Sequence, residues 1–302
     1  MTYKDRVGTG AHATGLKLLH LKVAGALLCL TFVLSASAVA GSIVVVYPRP
    51  ENQSDTRATY PARVLEMALR RVGKDYVVKP SDVSMLQGRA LVQLRVNENI
   101  NVLWTTPSIA REGGLARIPI PLDKGLIGWR LLLLRRQKLD EFAHLHLPDE
   151  LQARMAGQGH DWPDTEILRT NGFKVDGVVG YESLFRVLSQ GSIDYFPRSV
   201  MEIWAEADTR KAQDIVIEPS IALHYPNAFY YYVNKSNVVL AADIEAGMEK
   251  MIADGSLDKL FHQTFDDSLS KAKLQTRRVV ELHNPLFPDD PSAHRAELWF
   301  HP

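Results

Sequence analysis

Apolar positions along the chain change their spacing repeatedly after residue 42, and the changes predict alternating strands and helices. Ile43 to Tyr47 form a continuous, mostly β-branched run followed by two prolines, which is typical of a strand buried on both faces. Pro61 then starts a helix in its first turn, and apolar side chains recur at helical spacing until Gly73 ends it. The alternation continues with a strand at 76–79, a helix through 90–96 and a strand at 101–105. This order predicts right-handed crossovers and a parallel sheet.

The pattern changes near Ile118, where the segment IPIPLDKG contains two prolines and a glycine. Such a segment is not a regular helix and suits a connection between two lobes. A second set of elements follows: a strand at 126–134, a polar helical stretch, a strand at 173–179, a helix at 184–188, a strand at 193–196 broken by Pro197, strands at 215–217 and 228–233, and a helix at 240–252. The proline-rich, aromatic tail from Asn284 is predicted to wrap around a lobe rather than to form a domain.

An apolar run from Val23 to Ala40 follows four basic residues near the N-terminus. It ends in the small-x-small sequence Ala38-Val39-Ala40, a signal peptidase site that would leave Gly41 as the new N-terminus. The alternative is an uncleaved membrane anchor, because the run approaches the ~18–20 apolar residues that a membrane span needs. Small and polar residues at the far end of the run favour cleavage, so the sequence predicts a signal peptide at 1–40 and an exported protein.

Composition narrows the class of protein further. The chain has 302 residues with 35 basic and 35 acidic side chains, and its single cysteine, Cys29, lies in the predicted signal peptide. The mature chain therefore has no disulfide and must be held by its own core. The leader holds four basic and one acidic residue, so 31 and 34 remain, and a net charge of −3 does not favour nucleic acid as a partner. Arginines flank the next most apolar run, at 131–134, so no stable membrane insertion is expected after cleavage.

Three local motifs carry a resemblance to a known family. In WTTPSIAR, at 104–111, Arg111 follows Thr106 by five residues. LFRVLSQGSIDYF, at 184–196, joins a helix to a Gly-x-x-Asp strand, and the block at 230–261 joins a strand, Lys-x-Asn, a long helix and a Gly-x-Leu turn. With these motifs in this order, residues from about 43 to 265 resemble the type II periplasmic solute-binding proteins, specifically the substrate-binding family of polar amino acid ABC transporters (solute-binding protein family 3).

The resemblance implies an α/β protein with the two-lobed, type II periplasmic binding protein-like fold, in which each lobe is a central sheet flanked by helices and two hinge segments join the lobes. The first lobe would comprise 41–123 and 224–302, and the second lobe 124–223. Such a protein is a periplasmic monomer that closes on a small molecule between its lobes and delivers it to an inner-membrane ABC permease. A sensor receptor that reads the closed form is the alternative partner.

In the first lobe, the candidate ligand-binding residues are Tyr47, Trp104, Thr105, Thr106 and Arg111. The resemblance assigns Arg111 to a ligand carboxylate, to which a planar guanidinium can present two parallel donors, and gives Thr106 a hydroxyl contact. A surface arginine near a loop is the alternative. Tyr47 and Trp104 are candidate apolar walls, although aromatic residues at strand ends are as often part of the core.

In the second lobe, the candidates Gly159, His160 and Trp162 lie in the loop GQGHDWPD at 157–164, which opens a helix. Glycines let backbone N–H groups approach an anion, and a helix N-terminus favours one. The alternative is a purely structural loop with Asp161 as the helix N-cap and Pro163 just inside the helix.

The resemblance implies that Arg198 or Ser199 stands where amino acid binders of this family place an acid for the ligand's ammonium group. Glu202, a few residues further on, is an alternative acid for this role. A second cleft arginine beside Arg111 would repel an ammonium and favour a second anionic group. The sequence therefore predicts a small polar, anionic ligand: an acid, a dicarboxylate or a phosphorylated compound. Alternatively, Arg198 pairs with Glu202 or Asp194 and never meets ligand.

Signals for catalysis are weak. His160-Asp161 is not accompanied by a serine in a Gly-x-Ser-x-Gly elbow, and His144-x-His146 lacks a third metal ligand at suitable spacing. The chain contains no Walker loop, dinucleotide fingerprint or zinc signature, so neither a cofactor nor a metal is expected. Some proteins of the implied fold are dehydratases, and such an enzyme is the least favoured alternative because it needs a cleft carboxylate placed as acid or base. The sequence predicts a binding protein and not an enzyme.

Overall fold

The structure is a computed structural model that describes residues 41–49, 56–287 and 294–302. The predicted signal peptide at 1–40 lies outside the described residues. Within the described ranges, no helix is both long enough and apolar enough to cross a membrane.

Strands and helices alternate through much of the described chain, as the apolar pattern predicts, although some neighbours along the chain are of the same type. The strands are β1 (Ile43–Arg49), β2 (Tyr76–Ser84), β3 (Val102–Thr105), β4 (Leu115–Arg117), β5 (Trp129–Arg135), β6 (Met155–Gly159), β7 (Lys174–Val178), β8 (Tyr195–Ser199), β9 (Ile215–Ile217), β10 (Ile221–His224), β11 (Tyr230–Asn234) and β12 (Arg278–Glu281). The helices are α1 (Thr59–Arg70), α2 (Gln87–Arg95), α3 (Ile109–Glu112), α4 (Leu139–Ala143), α5 (Asp149–Ala153), α6 (Pro163–Thr170), α7 (Tyr181–Gln190), α8 (Ile203–Thr209), α9 (Val238–Ala253) and α10 (Ser256–Ala272).

The first lobe contains two small sheets rather than the one parallel sheet that the sequence predicts. β1 and β2 are parallel, but β3 pairs antiparallel with β11, which also pairs with β4. The difference arises because β11, which returns from the second lobe, takes the ladder position beside β3. The prediction that β1 is buried on both faces is also wrong: Val45 is fully buried, whereas Ile43 and Val44 are 45 % and 46 % exposed.

The second lobe is built on a seven-stranded sheet in the order β12-β10-β5-β8-β6-β7, with β9 also paired to β5. The four leucines of β5 at 131–134 are fully buried, so this strand forms the centre of the lobe's core. The predicted break of β8 at Pro197 is not observed. β8 continues to Ser199 because its ladder with β5 holds the backbone extended, while its pairing with β6 is confined to Ala156 and Tyr195.

The C-terminal region departs from the predicted division of the chain at one element. The sequence placed all of 224–302 in the first lobe, but β12 pairs in parallel with β10 in the sheet of the second lobe. After β12 the chain returns to the first lobe. There, the ring of Phe287 lies 6.0 Å from that of Trp299, and both rings pack on the apolar cluster around Leu94 and Tyr230. The other predicted boundaries stay predictions.

A buried aspartate ties together the two segments that run between the lobes. Asp123 is 1 % exposed. Its Oδ2 accepts the backbone N–H of Ile127 (2.8 Å) in the outgoing segment, and its Oδ1 accepts the N–H of Phe229 (2.9 Å) in the returning segment. Burial raises the pKa of this carboxyl to about 6, although the backbone N–H donors lower it. The hinge region therefore contains a desolvated carboxylate whose hydrogen bonds fix the spacing of both crossings.

Candidate functional site

The turn after β3 positions the first group of candidate side chains. β3 ends at Thr105, and α3 begins three residues after Thr106. The side chain of Ser108 caps α3 by accepting a hydrogen bond from the backbone N–H of Arg111 (3.3 Å). This short helical turn brings the side chain of Arg111 back against the end of β3.

The guanidinium of Arg111 is held by neutral oxygens. Its Nη1 donates to the hydroxyls of Thr105 (2.5 Å) and Thr106 (3.1 Å) and to the carbonyl of Thr106 (3.2 Å). Its Nη2 donates to Oε1 of Gln87 (3.1 Å). Arg111 is 8 % exposed, and no carboxylate in the described part of the chain forms an ion pair with it. The structure thus brings the predicted Thr105, Thr106 and Arg111 together and adds Gln87.

Electrostatics link this arginine to the second lobe. The pKa of Arg111 is lowered because burial outweighs the opposing effect of nearby negative charges, which include those of Asp164 and Asp161. Both aspartates lie at the start of α6, so the loop of the second lobe faces the arginine of the first. A desolvated guanidinium without a carboxylate partner has much to gain from a ligand anion.

Tyr47 and Trp104 stand side by side at the ends of β1 and β3. Their ring centroids are 5.3 Å apart, and Trp104 lies edge-on to Tyr231 at 6.5 Å. Both candidates are half-buried, so each packs on the core and still presents part of its ring to solvent. Burial raises the pKa of Tyr47. Their role as ligand walls stays a prediction.

The loop before α6 does not use Asp161 as its helix cap, although one of the two sequence predictions expected it to. Trp162, not Asp161, is the N-cap residue, and Pro163 is the first residue of the helix. The carbonyl of Gly159 accepts hydrogen bonds from the backbone N–H of Trp162 (3.0 Å) and from the hydroxyl of Thr165 (2.7 Å). Asp161 lies exposed on the surface.

The two glycines of this loop make room for side chains. A Cβ on Gly157 would lie 2.2 Å from Cδ1 of Ile193, and a Cβ on Gly159 would lie 2.4 Å from the ring of Trp162. Close packing therefore accounts for both glycines without a bound anion. His160 is a surface residue whose side chain is 53 % exposed.

The first turn of α6 carries an anion of its own. The carboxylate of Asp164 pairs with Nη2 of Arg130 at 2.5 Å and accepts a hydrogen bond from the hydroxyl of Tyr225, which also accepts one from Nε of Arg130 (2.8 Å). Asp164, Arg130 and Tyr225 are all buried. Because a carboxylate already complements the positive end of the helix, the predicted anion cradle has no support from this geometry.

Arg198 is neutralised within the second lobe. Its Nε donates to both carboxylate oxygens of Glu206 (3.0 and 2.8 Å), and its Nη2 lies 2.7 Å from Glu206 and 2.9 Å from Glu202. Burial lowers the pKa of Arg198, but the charges of Glu202 and Glu206 outweigh burial and raise it above its ordinary value. The prediction that Arg198 calls for a second anionic group on the ligand therefore loses its basis.

Aromatic rings complete the surroundings of Arg198. Its guanidinium carbon lies 5.0 Å from the ring centroid of Phe196, 5.1 Å from that of Trp162 and 5.8 Å from that of Tyr181. Cation–π contacts of this kind stabilise a guanidinium that has left water. Trp162 thus packs on the chain's own arginine.

Ser199 is fully buried in the second lobe. Its hydroxyl donates to the carbonyl of Leu126 (3.4 Å) and accepts the backbone N–H of Met201 (3.2 Å). These contacts give Ser199 a structural role next to the hinge.

Several polar residues of the site were missed by sequence reasoning. The structure adds Gln87 to Arg111, Glu206 and Tyr181 to Arg198, and Arg130 to Asp164. Asp164 was detectable as an acid in the first turn of a helix, but its partner comes from a different strand. The described residues contain no group of three or more His, Cys, Asp or Glu side chains arranged to hold a metal ion.

The fold can be compared with solved structures. YckB of Bacillus subtilis is 19 % identical, with 80 % of this chain and 96 % of that chain covered and a TM-score of 0.51. An ancestral arginine-binding protein bound to arginine is 16 % identical, with 74 % and 98 % covered and a TM-score of 0.52. A histidine kinase sensor domain with similarity to periplasmic binding proteins is 14 % identical, with 74 % and 95 % covered and a TM-score of 0.51.

The chain has the fold of a two-lobed periplasmic binding protein. The resemblance read from the motifs at 104–111, 184–196 and 230–261 is thus confirmed at the level of the fold. No family model matches the sequence, and no curated protein matches it. In this fold, Arg111 lies in the first lobe and the start of α6 lies in the second.

Proposed function

We propose that this periplasmic binding protein is an extracytoplasmic solute-binding protein that captures a small polar, carboxylate-bearing ligand between its lobes. Arg111 carries the proposal. Arg130 and Arg198 each pair with carboxylates of the chain, whereas among the described residues the buried guanidinium of Arg111 has hydroxyl, carbonyl and amide oxygens as its hydrogen-bond partners and no carboxylate. A ligand carboxylate would supply the missing counter-charge through charge-assisted hydrogen bonds.

The ligand class follows from which cations are already neutralised. Because Glu206 already supplies a counter-charge to Arg198 and Glu202 lies beside the pair, Arg198 needs no anionic group from the ligand, and amino acid-like compounds fit as well as organic acids. The arginine-binding protein among the similar structures agrees with an α-amino acid as one member of this class.

The predicted signal peptide supports export to the periplasm, where an inner-membrane ABC permease would receive the ligand. A sensor receptor is the second candidate partner, and the similarity to a histidine kinase sensor domain favours it specifically. We infer ligand capture without chemical turnover, since the similar structures are binding and sensor proteins.

A thermal-shift screen of the mature protein against neutral amino acids, acidic amino acids and dicarboxylates tests the proposal, because a ligand of the folded state raises the melting temperature. The ligand recovered after incubation should be chemically unchanged. A screen in which no carboxylate-bearing compound shifts the melting temperature would contradict the proposal.

Arg111→Ala should weaken binding of the best carboxylate by about a hundredfold or more, because truncating one partner of a buried charge pair costs about 2–5 kcal/mol. Isothermal titration calorimetry measures the loss. Arg111→Lys, which keeps the charge but not the forked donors, should fall between Arg111→Ala and the wild type. Arg70→Ala, at an exposed arginine at the end of α1, is the matched control and should bind as the wild type does. Unchanged affinity in Arg111→Ala would remove this residue from the site.

A further inference from the structure

One cluster of charged side chains in the second lobe contains one more acid than base: Arg130, Arg198, Asp164, Glu202 and Glu206. Every hydrogen bond that the guanidinium of Arg198 donates goes to Glu206, and Arg130 pairs with Asp164 at 2.5 Å. Glu202 is the remaining acid, and its Oε2 also lies 3.9 Å from Nη1 of Arg130. Its side chain is 11 % exposed, and its Oε2 accepts no hydrogen bond from the described residues, although it lies 2.9 Å from Nη2 of Arg198.

A cation of the first lobe approaches this remaining carboxylate. Arg57 lies in the short 3-10 turn Thr56–Ala58 immediately before α1, which packs against α9 of the first lobe. Its Nη1 is 4.0 Å from Oε1 of Glu202, and its guanidinium carbon is 5.3 Å from the ring centroid of Tyr181. One guanidinium of the first lobe therefore meets an acid and an aromatic ring of the second.

The ion pair between Arg57 and Glu202, which is one of several contacts of Arg57, is suited to exchange with a ligand. The side chain of Arg57 is 48 % exposed, and a long, partly solvated ion pair adds little stability. Glu202 is much less exposed than Arg57. Loss of a neighbouring cation is therefore unfavourable for Glu202, because a nearly buried carboxylate has little water to stabilise its charge. Glu202 therefore favours a positive charge in this place, whether it comes from Arg57 or from a bound molecule.

We propose that Arg57 is a selectivity residue: it holds a positive charge of the chain itself at the interface between the lobes and so selects against ligands with a cationic side chain. The inference rests on the proposed function, since the ligand carboxylate is taken to bind Arg111. A ligand with a guanidinium or ammonium group has to compete with a tethered guanidinium for Glu202 and Tyr181. A ligand with a neutral side chain meets no such competition.

L-arginine and L-citrulline test this selectivity, because they share length, α-carboxylate and α-ammonium group and differ in the charge of the terminal group. The dissociation constants of both are measured by calorimetry for the wild type, Arg57→Gln and Arg57→Lys. In Arg57→Gln, preference for arginine over citrulline should rise by about tenfold or more relative to the wild type, as expected for an interface charge pair. Arg57→Lys should keep the wild-type preference.

Arg63→Gln is the matched control. Arg63 lies on α1, its side chain is 54 % exposed, and its only ion pair in the described chain is with Glu66 at 3.5 Å. Its preference should equal that of the wild type. The same preference in Arg57→Gln as in the wild type overturns the inference, and so does failure of Arg57→Gln to bind arginine at millimolar concentration.

The two proposals fail in different ways. Suppose that Arg111→Ala binds citrulline as tightly as the wild type does, while Arg57→Gln shows an increased preference for arginine. The proposed binding of the ligand carboxylate by Arg111 is then wrong, and the role of Arg57 stands. If Arg111→Ala loses citrulline while Arg57→Gln shows the wild-type preference, the proposed function stands and the role of Arg57 is wrong.

Discussion

Three buried arginines show how one residue type takes different roles according to its counter-charge. Arg130 faces Asp164, and Arg198 faces Glu206 with Glu202 nearby. These pairs are complete without a ligand. Arg111 has comparable burial, but within the described ranges its guanidinium donates hydrogen bonds to neutral oxygens and forms no ion pair. Burial alone therefore does not mark a binding arginine, and the partner set decides.

Glu206→Gln should lower the free energy of unfolding by about 3 kcal/mol, because it removes the buried charge that accepts the three hydrogen bonds of the Arg198 guanidinium and leaves Glu202 as the remaining carboxylate beside it. Urea unfolding at neutral pH measures this change. Glu182→Gln is the control: Glu182 also pairs with an arginine, Arg210 at 2.5 Å, but its side chain is 68 % exposed. The control should change stability by less than about 1 kcal/mol, and equal losses in both variants would contradict the buried-pair argument.

The sequence predicted that Thr106 lies close to Arg111. One of its alternatives, the pairing of Arg198 with Glu202, is confirmed, whereas the contact of Arg198 with Glu206 was missed for a physical reason. Arg111 and its threonines are local neighbours, so a short motif contains most of the contact set. Arg198 depends on Glu206, eight positions away on the following helix, and on the ring of Tyr181 from α7. Such pairings depend on how elements pack, which apolar periodicity does not specify.

At the scale of elements, periodicity predicted several of the helices, missed α8 and α10, and predicted the strand partners poorly. The helix predicted from Pro61 corresponds to α1, and the helix predicted at 240–252 lies within α9. The pairing of β3 with β11 was not predictable, because apolar runs identify a strand but not its neighbour. Parallel and antiparallel neighbours are chosen by the path of the chain.

The packing of α1 on α9 depends on one glycine. A Cβ on Gly247 would lie 2.2 Å from the carbonyl oxygen of Ala68 and 2.5 Å from its carbonyl carbon. Gly247→Ala should therefore lower the free energy of unfolding by about 3 kcal/mol, at the upper end of overpacking effects, because backbone rather than side chain must move.

Gly88→Ala, in α2, is the matched control, since nothing lies within 4 Å of the Cβ it would add. It should stabilise the protein by roughly 0.5–1 kcal/mol through helix propensity. Chemical denaturation of both variants gives the comparison, and a Gly247→Ala protein as stable as the wild type would show that the helices can separate freely.

At the scale of the whole molecule, Asp123 couples the hinge to pH. Burial raises its pKa to about 6, so the folded state holds this proton more tightly than the unfolded chain does. The stability that comes from this proton is present in full below about pH 4 and is lost as the pH rises through about 6.

Relative to Asp123→Asn, the wild type should therefore lose up to about 3 kcal/mol of unfolding free energy between pH 4 and pH 7. Urea unfolding of both proteins across this range measures the difference. A difference that stays constant from pH 4 to pH 7 would show that Asp123 does not take up a proton in the folded protein.

The position of β12 in the sheet of the second lobe limits how the two lobes can move relative to each other. Besides the segments at 118–128 and 224–229, the polypeptide passes from α10 to the larger sheet and back to Phe287, so four covalent tethers span the two halves. Each added tether narrows the set of relative orientations available to the halves. A large opening of the two lobes would have to stretch the connections of β12 or separate β12 from β10. A small rotation of one lobe about the connecting segments would not. Ligand entry should accordingly involve a small rotation, and cutting the chain between α10 and β12 should enlarge it.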